Sequence, residues 1–241
     1  MSRIFLTAQW RNLLMANYAI DPAILTPYLP YGTELDAFEG VYYVSLVGFL
    51  FTDVKLRGIA IPFHTTFEEV NLRFYVRYKD GTEWRRGVVF LKEIVPKRAI
   101  TFVANAHYNE NYRTHNMKHH WVTTHDTLQV AYQWQVGKEW NYINAVAETN
   151  AVPIQEGTVE EFITEHYWGY TFVNNRCTGV YQVAHPRWGI HPVKEYAIHC
   201  NAEKVYGAAF VVALAEKPRS VFLADGSAIQ IYKGSKIVMA Q

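Results

Sequence analysis

The chain has 241 residues, of which 50% are hydrophobic, 15% aromatic and 19% charged, with a formal net charge of +1. A domain of this length buries roughly 70% of its unfolded surface, so a large core is available and disorder is excluded. The balanced charge excludes a global basic field for nucleic acid, and no run of about 18 apolar residues offers a membrane helix.

In chain order, Asn12 to Ile20 is apolar and β-compatible. Asp21-Pro22 then supplies an N-cap and a first helical position for a short helix ending near Leu29-Pro30. Val41 to Phe51 reads as a buried strand. Thr66 to Tyr78 turns at Asp80-Gly81 into Trp84 to Lys92, a hairpin. Pro96 opens a helix to about Tyr108, with Ala99, Ile100, Val103, Ala104 and His107 as its buried stripe. Residues 112 to 149 read as successive antiparallel strands broken near Asp126 and Gly137. Thr158 to Glu161 is a capping box that starts a short helix. Strands resume at Tyr167–Val173, Gly179–His185 and Tyr196–Cys200, and a last hairpin is predicted around Asp225-Gly226. The pattern predicts one α+β domain over residues 1–241, built on a large antiparallel sheet with a few short helices. A sheet this long curls or closes.

Nucleotide-binding loops and a G-x-S-x-G elbow are absent. His115, His119, His120 and His125 lie close in sequence, but an extended segment does not converge three or four zinc ligands, so no metal site is expected. The long strand carries more information. Val70, Leu72, Phe74 and Val76 line one side, and Glu69, Asn71, Arg73, Tyr75 and Arg77 the other. That second face is either an ordinary solvated surface or the lining of a pocket inside a curled sheet. A third candidate is Lys97, just after Pro96 and before Arg98. The helix N-terminus and Arg98 both disfavour an ammonium there, and a neutral lysine can form a Schiff base. A solvated first-turn lysine is the plainer alternative.

Glu69-Val70-Asn71-Leu72-Arg73-Phe74-Tyr75-Val76 resembles the E-x-N-x-R-x-Y-V signature of the YqjF-like proteins, whose function is uncharacterised. Leu29-Pro30-Tyr31-Gly32, Leu35-Asp36 and Gly87-Val88-Val89-Phe90 support the resemblance, which runs from about Trp10 to Trp188. That family belongs to the acetoacetate decarboxylase-like superfamily. The resemblance implies a curved, cone- or barrel-like antiparallel sheet around a cavity. Pro96-Lys97-Arg98 looks similar to the Pro-Lys-Lys segment that carries the Schiff-base lysine, with Arg98 in place of the second lysine. On this reading Lys97 forms an imine with a keto acid, Arg98 favours its neutral form and Glu69 handles protons. Arg73 holds a carboxylate, with Asn71 and Tyr75 beside it. The competing reading is a non-enzymatic binder of a small organic acid. No cofactor, nucleic acid or membrane is expected as a partner. A small-molecule ligand is, and self-association into a homo-oligomer stays open. The first ten residues lack signal-peptide features, and Cys177 and Cys200 read as two buried thiols, which points to the cytoplasm.

Overall fold

The structure is a computed structural model that describes residues 3–108 and 110–239. It begins β1 (Ile4–Ala19), α1 (Pro22–Leu25), β2 (Thr33–Leu35), β3 (Tyr43–Leu56), β4 (Ile59–Ala60), β5 (Phe67–Asp80), β6 (Glu83–Val95) and α2 (Arg98–Tyr108). Next come β7 (Tyr112–Thr114), β8 (Met117–Thr123), β9 (Thr127–Val136), β10 (Glu139–Glu148), β11 (Val152–Pro153) and α3 (Val159–Thr164). The chain then runs through β12 (Trp168–Asn174), β13 (Cys177–Ala184), β14 (Gly189–His191), β15 (Val193–His199) and α4 (Ala202–Tyr206). It finishes with α5 (Val211–Ala215), β16 (Ser220–Tyr232) and β17 (Ser235–Val238). No described helix is long and apolar enough to cross a membrane.

The larger sheet is ordered β11-β14-β16-β1-β3-β5-β6-β12-β13-β17, with β2, β4 and β7 attached at its sides. A second sheet, β15-β10-β9-β8, packs against it. Pairing is antiparallel except where β6 meets β7 and β12. β12 touches β6 only at Trp168–Gly87 and Gly169–Val88, and β13 reaches β16 only at Val183–Ile231 and Ala184–Gln230. These two-residue contacts curl the sheet without giving it a continuous barrel wall. The α+β class and the large curved antiparallel sheet are therefore as expected, and a closed barrel is not observed.

Local chemistry explains several boundaries. Asp21 caps α1 by accepting from the Ala23 N–H, and Thr158 caps α3 by accepting from the Glu161 N–H. The β5–β6 hairpin forms as predicted, closing on the Asp80–Glu83 pair. Two expectations need correction. Ala99 of α2 is exposed, while Ile100, Val103 and Ala104 are half-buried; the side chain of His107 lies outside the described residues. The Asp225-Gly226 hairpin does not exist, because β16 runs through it as one strand paired to β1. Gly226 instead sits inside the strand in a left-handed conformation, with φ of +77°, opposite Arg11 and with no shift of register there. A Cβ there would lie 2.1 Å from the Trp10 carbonyl oxygen.

Gly226 has left-handed neighbours in the adjoining strands. Asn12 in β1 and Asp53 in β3 also take positive φ, at 51° and 54°, where the β1–β3 register slips. Together they bend the three central strands, which makes the sheet concave. Its convex side packs on the second sheet, with Val70, Leu72, Phe74 and Val76 of β5 in one core with Tyr132, Trp134 and Ile143. The other face of β5 therefore points into the concavity.

Gly226→Ala puts a side chain into both the strained conformation and the Trp10 contact. We expect it to cost more than the roughly 1–3 kcal/mol of conformational strain alone. Urea unfolding monitored by tryptophan fluorescence checks this, and an unchanged midpoint would show that stability does not depend on the close approach of Gly226 to Trp10.

Candidate functional site in the concavity

The polar face of β5 is buried from Glu69 to Tyr75, with Glu69 2% exposed, Asn71 1%, Arg73 8% and Tyr75 1%, whereas Arg77 at its end reaches the surface and pairs with Glu34. Glu69, Asn71 and Arg73 line an inner pocket of about 70 Å³. That is several times the ~10–15 Å³ that admits one water. Val88, Phe90 and Glu93 of β6, Tyr112 of β7 and Tyr181 of β13 form further parts of its wall. Trp10 and Trp188 lie on another side, edge to face, with His185 stacked on Trp188 at 4.1 Å.

Hydrogen bonds converge on Glu69. Asn71 Nδ2 donates to its Oε1 and the Tyr112 hydroxyl to its Oε2, both at 2.9 Å. Arg73 is differently placed. Its Nη2 reaches only the Met15 sulfur at 3.7 Å, its Nε has no hydrogen-bond partner, and it makes no ion pair among the described residues. Trp10 Nε1, Asn71 Oδ1, Glu93 Oε2 and His166 Nδ1 are also buried and unpartnered, and all four residues line the same pocket. Buried polar atoms are normally satisfied, so this concentration in one pocket marks a place where a polar ligand or water completes the set.

A buried acid cluster extends from Glu69. Glu93 lies directly across from Asn71 on β6 and beside Tyr112 on β7. Tyr181 donates to Glu110 Oε1 at 2.8 Å. Burial raises the Glu69 carboxyl to about 7, against the opposing pull of Asn71, Tyr112 and the Arg73 charge. Burial also raises Glu110, and it raises Glu93 further with help from the charges of Glu110 and Glu69. Crowded carboxyls away from water retain protons because ionising one makes ionising the next costlier. Neutral acids of this kind can donate and take up protons near neutral pH.

Behind the pocket-lining His166 stand Asp36, which is buried, and Arg86, which reaches the surface. Asp36 Oδ2 accepts from Arg86 Nε at 2.6 Å and lies 3.2 Å from His166 Nε2. Burial alone would raise Asp36, but the bonds from His166 and Arg86 outweigh it and lower the carboxyl. Burial pushes the His166 ring down to about 4, against Asp36, so the ring is neutral at pH 7.

A family described as uncharacterized conserved protein, DUF2071, matches residues 7–228. The chain belongs to this family. It is also 26% identical over 169 residues, 69% of this chain and 67% of the relative, to the uncharacterized protein YqjF of Bacillus subtilis strain 168. Among solved structures it resembles an acetoacetate decarboxylase from Legionella pneumophila, at a TM-score of 0.66 and 13% identity, covering 98% of this chain and 88% of that one. An acetoacetate decarboxylase-like enzyme from Sphingomonas wittichii RW1 gives 0.66 at 9% identity, covering 98% and 94%. The enduracididine biosynthesis enzyme MppR, solved with the condensation product of pyruvate and imidazole 4-carboxaldehyde, gives 0.66 at 10% identity, covering 99% and 91%. At these identities the likeness establishes a shared fold.

Within this member of the DUF2071 family, the residues expected at the site divide into three groups. Glu69, Asn71 and Arg73 come together in the inner pocket. Tyr75 shares their face but not the pocket lining; its hydroxyl donates to Ser45 Oγ at 2.7 Å, and Ser45 in turn donates to Asn17 Oδ1 at 2.6 Å. Lys97 is half-buried ahead of α2 and Arg98, its first residue, is exposed; neither lines this pocket. His119 faces Glu68 and His125 faces Asp126, and neither histidine lines the pocket.

Glu93, Glu110, Tyr112, Tyr181 and His166 were not singled out by sequence reasoning. For Glu93 the reason is a bulge. Down the hairpin Arg73 pairs with Phe90, yet Leu72 pairs with Lys92, so Leu91 is an extra residue in β6. Without it Lys92 would oppose Asn71 and face the pocket. With it Glu93 takes that place, and Lys92 turns outward to donate to the Val205 carbonyl.

A carboxyl whose ionisation is suppressed by folding stabilises the protein below its unfolded value, and loses that contribution as pH rises through its folded value. For Glu69 the window runs from its ordinary 4.5 to about 7. Stability is therefore expected to decline over this range. Glu93→Gln, which cannot ionise, should shrink the decline and melt above wild type at pH 8 by several degrees, at roughly 2–4 °C per kcal/mol for a chain of this size. Differential scanning calorimetry from pH 5 to 9 decides; identical profiles for the two proteins would show that Glu93 is already charged.

Proposed function

We propose that the inner pocket binds a small organic acid, with its carboxylate on Arg73 and with Glu69 as the proton-exchanging group beside it. The observation that carries this is the buried Arg73 guanidinium, which has no carboxylate partner and an unpartnered Nε in a pocket wall. A buried guanidinium presents planar donors suited to a carboxylate, and leaving it unmatched is costly. The Tyr112–Glu69 bond supports the second half, because it holds a carboxyl of near-neutral titration at the ligand's side. A fold neighbour solved with pyruvate fits a ligand of this size.

This chemistry uses carboxyl groups and needs no lysine. In a bound 2-keto acid, ionised Glu69 would take a proton from the carbon next to the carbonyl and return it. The reaction class is tautomerisation or exchange. The imine reading with Lys97 and Arg98 calls for a different geometry, in which Lys97 enters the pocket that holds Glu69. A binder without turnover is the second reading, and the unpartnered pocket atoms support it equally.

Isothermal titration should detect pyruvate or acetoacetate binding to the wild type. Loss of a charge-assisted pair worth about 1.5–3 kcal/mol should weaken it roughly ten- to hundredfold in Arg73→Met. Proton NMR in deuterium oxide should show exchange of the pyruvate methyl hydrogens, abolished in Glu69→Gln. Binding without exchange selects the non-enzymatic reading. A borohydride-stable pyruvate adduct on Lys97, absent in Lys97→Ala, would replace the carboxyl mechanism by the imine one.

A further inference from the structure

A second pocket of about 200 Å³ lies beneath α2, between that helix and the segment after β4. Ile100, Val103 and Ala104 of α2 form its roof, and Phe51, Phe67 and Ile231 of the sheet form its floor. Its polar lining is almost confined to one corner, where Glu93, Glu110, Tyr112 and Tyr181 meet. Glu93, Tyr112, Tyr181, Phe51 and Ile231 also line the inner pocket. The two spaces thus share one wall, with the Arg73 guanidinium on its inner side and an apolar chamber on its outer side.

We propose that the two pockets form one bipartite site for a carboxylic acid that carries an apolar tail. This rests on the reading that Arg73 anchors an organic acid. The head occupies the inner pocket, and the tail passes Glu93 and Tyr112 into the chamber under α2. Size sets the tail. A cavity of about 150 Å³ with aliphatic and aromatic walls holds a benzene-sized ligand, so the outer chamber fits an aryl ring or a chain of about five to eight carbons. The inner pocket alone fits little more than the head group. Charge is consistent with this passage: burial holds protons on Glu93 and Glu110, so a tail passing them meets neutral groups. The mouth suits an apolar ligand as well. Phe63, between the lining residues Ile61 and His64, stands 88% exposed, and exposed apolar surface beside a pocket is a common mark of ligand entry.

The test is isothermal titration of the wild-type chain with acetate, butyrate, hexanoate, octanoate, pyruvate and phenylpyruvate. Affinity is expected to rise about fourfold per methylene, the equivalent of ~0.8 kcal/mol per buried CH₂, until the chamber is full. Phenylpyruvate should bind at least tenfold tighter than pyruvate. Ala104→Trp and Ile100→Trp fill the chamber from two positions on α2, and either one, if it melts cooperatively, should bring octanoate down to the level of acetate. Arg73→Met should weaken the whole series. If short acids bind through Arg73 but affinity is flat with chain length, the bipartite site is wrong and the organic-acid reading stands. A chain-length gain that survives both tryptophan variants places the tail elsewhere and also overturns the proposal. Absence of binding by any acid, or binding indifferent to Arg73→Met, defeats both readings.

Discussion

β5 is buried on both faces, and most of the molecule follows from that. Its apolar face, Val70 to Val76, is taken up by the second sheet with Tyr132 and Trp134. Its other face carries Glu69, Asn71 and Arg73, which therefore cannot reach water and must be housed within the concavity. Burying charge is expensive unless it is paired or neutralised. Here the carboxyls are neutralised by retaining protons, while the guanidinium keeps its charge and lacks a close partner. An interior arranged for stability alone would pair Arg73 with Glu69. Instead Glu69 is occupied by Asn71 and Tyr112, which leaves the guanidinium available.

The curvature that houses this face comes from left-handed residues at the centre of the sheet, two of them at register shifts between β1 and β3. Asn12, Asp53 and Gly226 each take a left-handed backbone conformation where β1, β3 and β16 lie side by side. The bulge at Leu91 in β6 has a chemical result beyond bending, because side chains alternate along a strand and one extra residue exchanges faces. It trades Lys92 for Glu93 at the pocket wall. The fold is shared with acetoacetate decarboxylase-like enzymes, and among the described residues the inner pocket of this chain is lined by carboxyls and a guanidinium. Fold and site chemistry are separable, so the shared fold does not by itself assign this pocket a reaction.

The aromatic excess of the composition has three distinct uses. Trp134, Tyr132 and Tyr170 fill the core between layers. Trp10, Trp188 and His185 stack as one side of the inner pocket. Tyr112 and Tyr181 present hydroxyls to buried carboxyls, a role in which the ring supplies apolar burial and the oxygen supplies the hydrogen bond. Tyr75, by contrast, spends its hydroxyl on Ser45 and so joins the β5 strand to β1 and β16 through Asn17 and Ser220.

Period-two alternation on β5 was enough, from the sequence by itself, to place Glu69, Asn71 and Arg73 on one face, because the geometry of an extended chain is local. The β5–β6 hairpin and the caps at Asp21 and Thr158 were legible for the same reason, since turn and cap chemistry act within a few residues. Three things were decided only by tertiary structure. The polar face of β5 turned inward because a distant segment, β9 and β10, covered the other face. Glu93, Tyr112, Glu110 and Tyr181 joined the site because a bulge, the β6–β7 pairing and a hydrogen bond from Tyr181 to Glu110 carried them there. Gly226, which reads locally as a turn, stays within a continuous strand because β1 pairs with β16 on both sides of it and leaves no room for a reversal. Each of these rests on contacts between residues far apart in the chain, which no local pattern of residues encodes.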